Sequence, residues 1–159
     1  MSAPRTVSVF RNVILVLAGA AVFVPLTAMS HPHEGTFVGP ADGVRIVLQL
    51  QPIHPFLAEY RKTLVVSSTG GSHTSRELFS DTGGYLRTQL YLALDHSYYL
   101  KGYFDVAHVS SDAAHITIDV TAVAVGARYL GAFDEDATRT FRFISARESP
   151  EQPLVPSGG

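Results

Sequence analysis

The chain of 159 residues contains no cysteine and no tryptophan. Without thiols it forms no disulfide, so even in an oxidising compartment its stability has to come from packing, a metal or association. The absence also removes any CxxCH haem attachment sequence. No serine stands in GxSxG, and there is no Walker loop, dinucleotide fingerprint or EF-hand. No run of basic residues offers a footing for nucleic acid. These absences predict a chain that is not an enzyme, with no catalytic residue, no cofactor and no nucleic-acid partner.

What the sequence does have is one long apolar run. Val13 to Met29 holds no charge, with Thr27 its only ordinary polar side chain. As a helix it would span roughly 26 Å, close to the lower limit for a hydrocarbon core of about 30 Å. Including Asn12 and Ser30 at the interfaces makes a crossing possible, so residues 12–30 are expected to contact the bilayer. Arg5 and Arg11 precede it, and Glu34 and Asp42 are the first acids after it, which favours an N-in, C-out orientation. The same residues also fit a secretion signal, with small Ala28 and Ser30 before a cleavage point at His31. A retained anchor is the preferred reading, because the run exceeds the roughly 7–15 residues usual for a signal core.

The whole chain carries 12 Lys and Arg against 14 Asp and Glu. Since Arg5 and Arg11 lie in the leader, the rest is the more acidic part. Residues 31–43 read as a turn-rich linker, with a short extended piece at Thr36 to Val38. Residues 44–147 read as one extracytoplasmic β domain, and 148–159, with Pro150, Pro153 and Pro156, as a flexible tail.

Within the domain the period is two. Val44, Ile46, Leu48 and Leu50 alternate with Arg45, Val47, Gln49 and Gln51, predicting a first strand that Pro52 and Pro55 end. Thr63 to Ser67 and Ser75 to Phe79 follow, with a turn expected around Asp81 to Gly84. Leu86, Leu90, Leu92 and Leu94 define one face of the next strand, and Arg87, Gln89 and Tyr91 the other. Asp95-His96-Ser97 turns the chain into a return strand whose matching face is Tyr98, Leu100, Phe104 and Val106, an antiparallel hairpin. Further strands are expected at His115 to Thr121, Ala122 to Leu130 and Thr138 to Ala146, with the acidic Asp134 to Asp136 as a loop. Six to eight strands imply a mainly β fold: a transmembrane or signal helix followed by a small antiparallel sandwich or barrel-like domain.

Three constellations compete for a functional role. The first is histidine: His31 and His33 sit together at a possible mature N-terminus, and His54, His73, His96, His108 or His115 could add an imidazole for copper. His108 and His115 could also meet across a turn. No HxxxH or HExxH spacing supports either arrangement, so no metal ligand is assigned.

The second is Asp81-Thr82-Gly83, which resembles the active-site triplet of aspartic proteases. Val123 to Gly126 is similar to the apolar segment ending in glycine of their retroviral-type members. The resemblance implies a pair of carboxylates sharing a proton, the second supplied by another copy of the chain. Ser80 stands where that family has an apolar residue, and a local turn is the preferred reading.

The third is a row of tyrosines. Tyr91, Tyr99 and Tyr103 alternate on the predicted outward faces of the long hairpin, with Arg87, Lys101 and Asp105 as a polar rim, which predicts a protein-contact face. Together these readings give a non-catalytic accessory or structural subunit of a membrane complex. Its partners would be the other subunits and the bilayer, with the β domain periplasmic or extracellular. The alternative is a cleaved, secreted or periplasmic protein that binds a ligand or metal.

Overall fold

The computed structural model describes residues 32–54, 56–57, 59–82, 86–118 and 122–154. The segment read as anchor or signal, residues 1–30, falls outside them. Among the described residues no helix is long and apolar enough to cross a membrane.

The domain is mainly β, with two antiparallel sheets. The strongest alternation in the sequence becomes β2 (Arg45–Pro52), which buries Ile46, Leu48 and Leu50 while Arg45 and Gln51 stay in solvent. Pro52 is tolerated because it is the last residue of the strand. On one side β2 pairs with β3 (Glu59–Ser67), from Ser67 opposite Arg45 to Tyr60 opposite Pro52. The inward parity of β3 buries Leu64, Val66 and also Lys62.

On its other side β2 pairs with β1 (His33–Val38) over the full length of β1. This corrects the expectation of an irregular lead-in with only Thr36 to Val38 extended. Gly35 and Pro40 look like loop residues, yet Gly35 pairs with Leu48 in the strand, and it is glycine because a Cβ there would sit 2.8 Å from the ring of Phe133. β4 (His73–Glu77) and β5 (Asp81–Thr82) complete this sheet along β3. Asp81 and Thr82 therefore belong to a strand rather than a turn, and Gly83 and Gly84 lie outside the described residues.

The second sheet has the order β11-β10-β6-β7-β8-β9. Its centre is the predicted hairpin, β6 (Thr88–Leu92) against β7 (Tyr98–Lys101), with Leu92 opposite Tyr98. The return strand is shorter than its periodicity implied. Gly102 donates to the Asp105 carbonyl at 2.9 Å, closing a turn that starts β8 (Val106–Val109). Phe104 is thereby left half-exposed at the turn, and Leu94 is exposed in the hairpin loop, so neither joins the apolar face assigned to it.

Only Ile116–Thr117 (β9) of the expected 115–121 strand is described as extended. The next strand, β10 (Arg128–Glu135), starts late and takes in Asp134 and Glu135, which were expected in a loop. β11 (Phe141–Ser145) starts three residues later than expected. The reason is Asp136, whose carboxylate accepts from the Thr138 amide and hydroxyl and the Thr140 amide, shaping the connection itself.

One core joins the sheets. Phe37 of β1 meets Tyr98 and Phe143 of the second sheet edge to face, at centroid distances of 5.9 and 4.9 Å, and Phe143 meets Phe133 at 5.3 Å. β1 lies beside β11, and β4 beside β9, so the sheets approach each other at both edges.

Candidate functional site

The site is built where the β1 edge passes the β10–β11 edge. After Val38 the chain makes a tight loop: Gly39 donates to the Val44 carbonyl at 2.8 Å, and Gly43 turns with φ of 64°. Asp42 organises this loop. One carboxylate oxygen accepts the Val44 amide at 3.0 Å and the other accepts the Tyr98 hydroxyl at 2.7 Å. Gly39 has to be glycine, because a Cβ there would stand 2.6 Å from the Tyr98 hydroxyl and run into the Asp42 carboxylate.

From the opposite sheet the β6–β7 loop brings His96 to the same place. Asp95 accepts from the amide and hydroxyl of Ser97 at 3.0 and 2.6 Å, which holds His96 in a left-handed conformation with φ of 64°. Those hydrogen bonds, the hydroxyl first, also hold the Asp95 carboxyl below the usual carboxylate range.

A bulge in β10 supplies the remaining wall. Pairing with β6 runs from Tyr129 opposite Tyr91 directly to Gly131 opposite Leu90, leaving Leu130 as the extra residue. An unbulged strand would put 129, 131 and 133 on one face and drive Tyr129 into the core with Phe133. The bulge instead lets Tyr129 pack at a tilt against Tyr91 outside, ring centroids 5.5 Å apart, and puts Leu130 at the seam. Gly131 makes the bulge possible, since a Cβ at its φ of 148° would collide with the Ile144 carbonyl.

These elements enclose a cavity of about 420 Å³. Phe37, Leu92, Leu130 and Phe143 form apolar walls, buried Tyr98 and half-buried Asp42 a polar floor, and exposed His96 and Arg128 the rim. Burial, then the bond to the Asp42 carboxylate, pushes the Tyr98 phenol well above its ordinary pKa, so it stays a neutral donor. Among the described residues Arg128 has no ion-pair partner, leaving a free guanidinium at the mouth. The volume and the few convergent polar groups suit one small amphipathic molecule.

The residues singled out from sequence sit elsewhere. Tyr91 and Arg87, predicted to point outward to a partner, are on the outer face of the second sheet but are buried there under the chain's own segment 149–152, which corrects the expected exposure. Arg87 donates to Asp134 and Ser149 Oγ, both at 2.9 Å, and to the Tyr129 hydroxyl and Pro150 carbonyl at 3.1 and 2.9 Å. Tyr91 donates to Glu151 at 2.8 Å. Residues 149–152 are thus a strap rather than part of a free tail. Tyr99 is half-buried against His108, ring centroids 4.7 Å apart, while Tyr103 and Lys101 are half-buried. None of the five lines the cavity.

His31 lies outside the described residues, and His33 is exposed at the start of β1. His108 is opposite Thr117, not His115. Among the described residues no three His, Cys, Asp or Glu side chains cluster as metal ligands. Asp81 pairs beside Tyr60, whereas Val123 to Gly126 precedes Arg128 at the opposite end of the domain, so the two fragments similar to aspartic proteases do not meet. No protein-family model, curated protein or solved structure matches the chain.

The cavity escaped sequence reasoning because its members come from five separate stretches. Asp42-Gly43 was legible as a turn. That Asp42 would bond Tyr98, 56 positions away, was not.

Proposed function

We propose that this chain is an extracytoplasmic binding module whose flattened, barrel-like β domain holds a small amphipathic anion in the seam cavity. The segment 12–30 delivers the domain across the membrane and tethers it there, with the N-terminus cytoplasmic. The observation that carries the reading is the cavity itself, apolar at its walls and flanked at the mouth by the exposed Arg128. An apolar body of a few rings or a medium-length chain fills such a volume, and a carboxylate on it would meet the guanidinium at the rim.

Thermal melts of the full chain in detergent, with a panel of medium-chain fatty acids and aromatic carboxylates, test this. At least one ligand is expected to raise the melting temperature, with the shift reduced in Arg128→Ala and lost when Leu130→Trp fills the cavity. Stabilisation by no ligand, or equal stabilisation of both variants, overturns it.

A second reading, an accessory subunit making protein contacts in a membrane assembly, is favoured by the exposed apolar side chains Phe56 and Leu57. It predicts that the chain purifies in mild detergent as part of a larger particle with residues 1–30 intact.

A further inference from the structure

The domain has two ends, which the strand registers and two contacts between the sheets mark. Tyr98 bonding Asp42 fixes the cavity end, and the Phe79 amide donating to Asp105 at 3.0 Å ties the two sheets together at the other. That other end holds the start of β1, because His33 is opposite Leu50, and the β2–β3 connection, because Pro52 is opposite Tyr60. It also holds the turn between β7 and β8.

Among the described residues, five of the eight exposed large apolar side chains lie at this end, the other three, Val38, Leu94 and Val125, at the cavity end. Phe56 is 89 % exposed, and Ile53, Leu57, Phe79 and Phe104 are each about half exposed. The β2–β3 connection presents three of them, Ile53, Phe56 and Leu57. His54 Nδ1 accepts the amides of Phe56 and Leu57 at 3.2 and 3.1 Å, and Ile53 donates to the Glu59 carbonyl at 3.0 Å. Backbone demand is met locally, which leaves the side chains pointing away from the domain.

The sequence places this end next to lipid. Only four Cα steps separate Met29, the last residue of the apolar run, from His33, the first of β1. Fully extended they reach about 14 Å. The headgroup layer on each side of a bilayer is roughly 5–8 Å deep. A chain anchored through 13–29 therefore keeps the His33 end within or just outside the headgroup layer, and aromatic and aliphatic tips at the headgroups are the ordinary means of interfacial attachment. The longest strand here, β3, runs about 30 Å at 3.3 Å per residue, so the cavity end projects away from the membrane.

We infer that Ile53, Phe56, Leu57 and Phe79 form a lipid-docking surface that inserts into the bilayer interface and stands the domain upright with its cavity facing the aqueous side. This rests on the tethered reading given above. The chain has no tryptophan, so one introduced by substitution is a unique reporter.

The full chain carrying Phe56→Trp, Leu57→Trp or, at the cavity end, Leu94→Trp is reconstituted into phosphatidylcholine nanodiscs with brominated acyl chains. Tryptophan at 56 and 57 is expected to lose roughly half its fluorescence relative to unbrominated lipid, and tryptophan at 94 almost none. Equal quenching at 56 and 94, or none at 56 and 57, overturns the docking surface. So does shielding of 56 from iodide only when a co-purifying protein is added. Intact mass of the same samples reads the tether separately. Residues 1–30 present without quenching removes the docking and keeps the tether, whereas residues 1–30 absent with quenching retained removes the tether and supports the docking.

Discussion

Replacing Arg87 with methionine isolates what the 149–152 strap contributes. The guanidinium makes four hydrogen bonds, to Asp134, Ser149, Tyr129 and Pro150, and its side chain is 9 % exposed. Breaking a fully buried ion pair from one side costs about 3–5 kcal/mol, and an exposed one about 0–1 kcal/mol. The Asp134 side chain is 26 % exposed, so water recovers part of its solvation and moves the cost below the buried range. Among the described residues Arg87 Nε is buried without a partner, and the thioether removes that penalty, worth about 1 kcal/mol. The net expectation is a loss of about 2–3 kcal/mol. With a urea slope of about 1.5 kcal/mol/M for a domain of this size, the unfolding midpoint falls by about 1.3–2 M. Arg87→Lys keeps the charge but not the planar fork, and is expected to lose about half as much. The strap should loosen in parallel, so a protease specific for glutamate cuts at Glu151 faster in Arg87→Met than in the parent. A midpoint shift below about 0.3 M, with Glu151 no more susceptible, would refute the reasoning.

Gly131→Ala should cost at least about 3 kcal/mol in the same urea assay, because the new methyl meets the Ile144 carbonyl at a backbone conformation that L residues rarely adopt. Burial first, and then a carboxylate neighbour, Glu151 or Asp42, pushes Tyr91 and Tyr98 above the ordinary phenol value of about 10. Their contribution to stability is complete below that pH and is lost as pH rises above it; the urea midpoint should fall above about pH 10, with phenolate absorbance at 295 nm appearing together with unfolding. Asp136 is held well below the usual carboxylate range by the Thr138 hydroxyl, then by the Arg142 guanidinium and the Thr140 amide. That stabilisation is present above about pH 4 and fades as pH falls below it, so Asp136→Asn should lower the midpoint at pH 7 and flatten its acid limb.

The alternations of β2 and of the β6–β7 hairpin could be read directly, because side chains on a strand change face at every residue and burial selects the apolar set. Where that rule misled, another interaction had taken precedence. Phe104 keeps the parity of a strand residue, but Gly102 and Asp105 close a turn around it. Tyr91 and Arg87 were assigned to the outer face of the sheet, which is where they are. Facing outward meant burial under residues 149–152, whose proline and polar side chains look like those of a tail.

Composition and period were enough to settle a mainly β domain without covalent cross-links behind one long apolar segment, since each depends only on residues close together in the chain. The cavity, the strap and the division of the loops between two ends depend on which edges meet. Tyr98 finds Asp42, Leu130 is displaced by a bulge, and Phe79 is tied to Asp105 only after two sheets have closed over a shared core. Contacts between distant stretches leave no periodic trace in sequence, so those features were decided by tertiary structure alone.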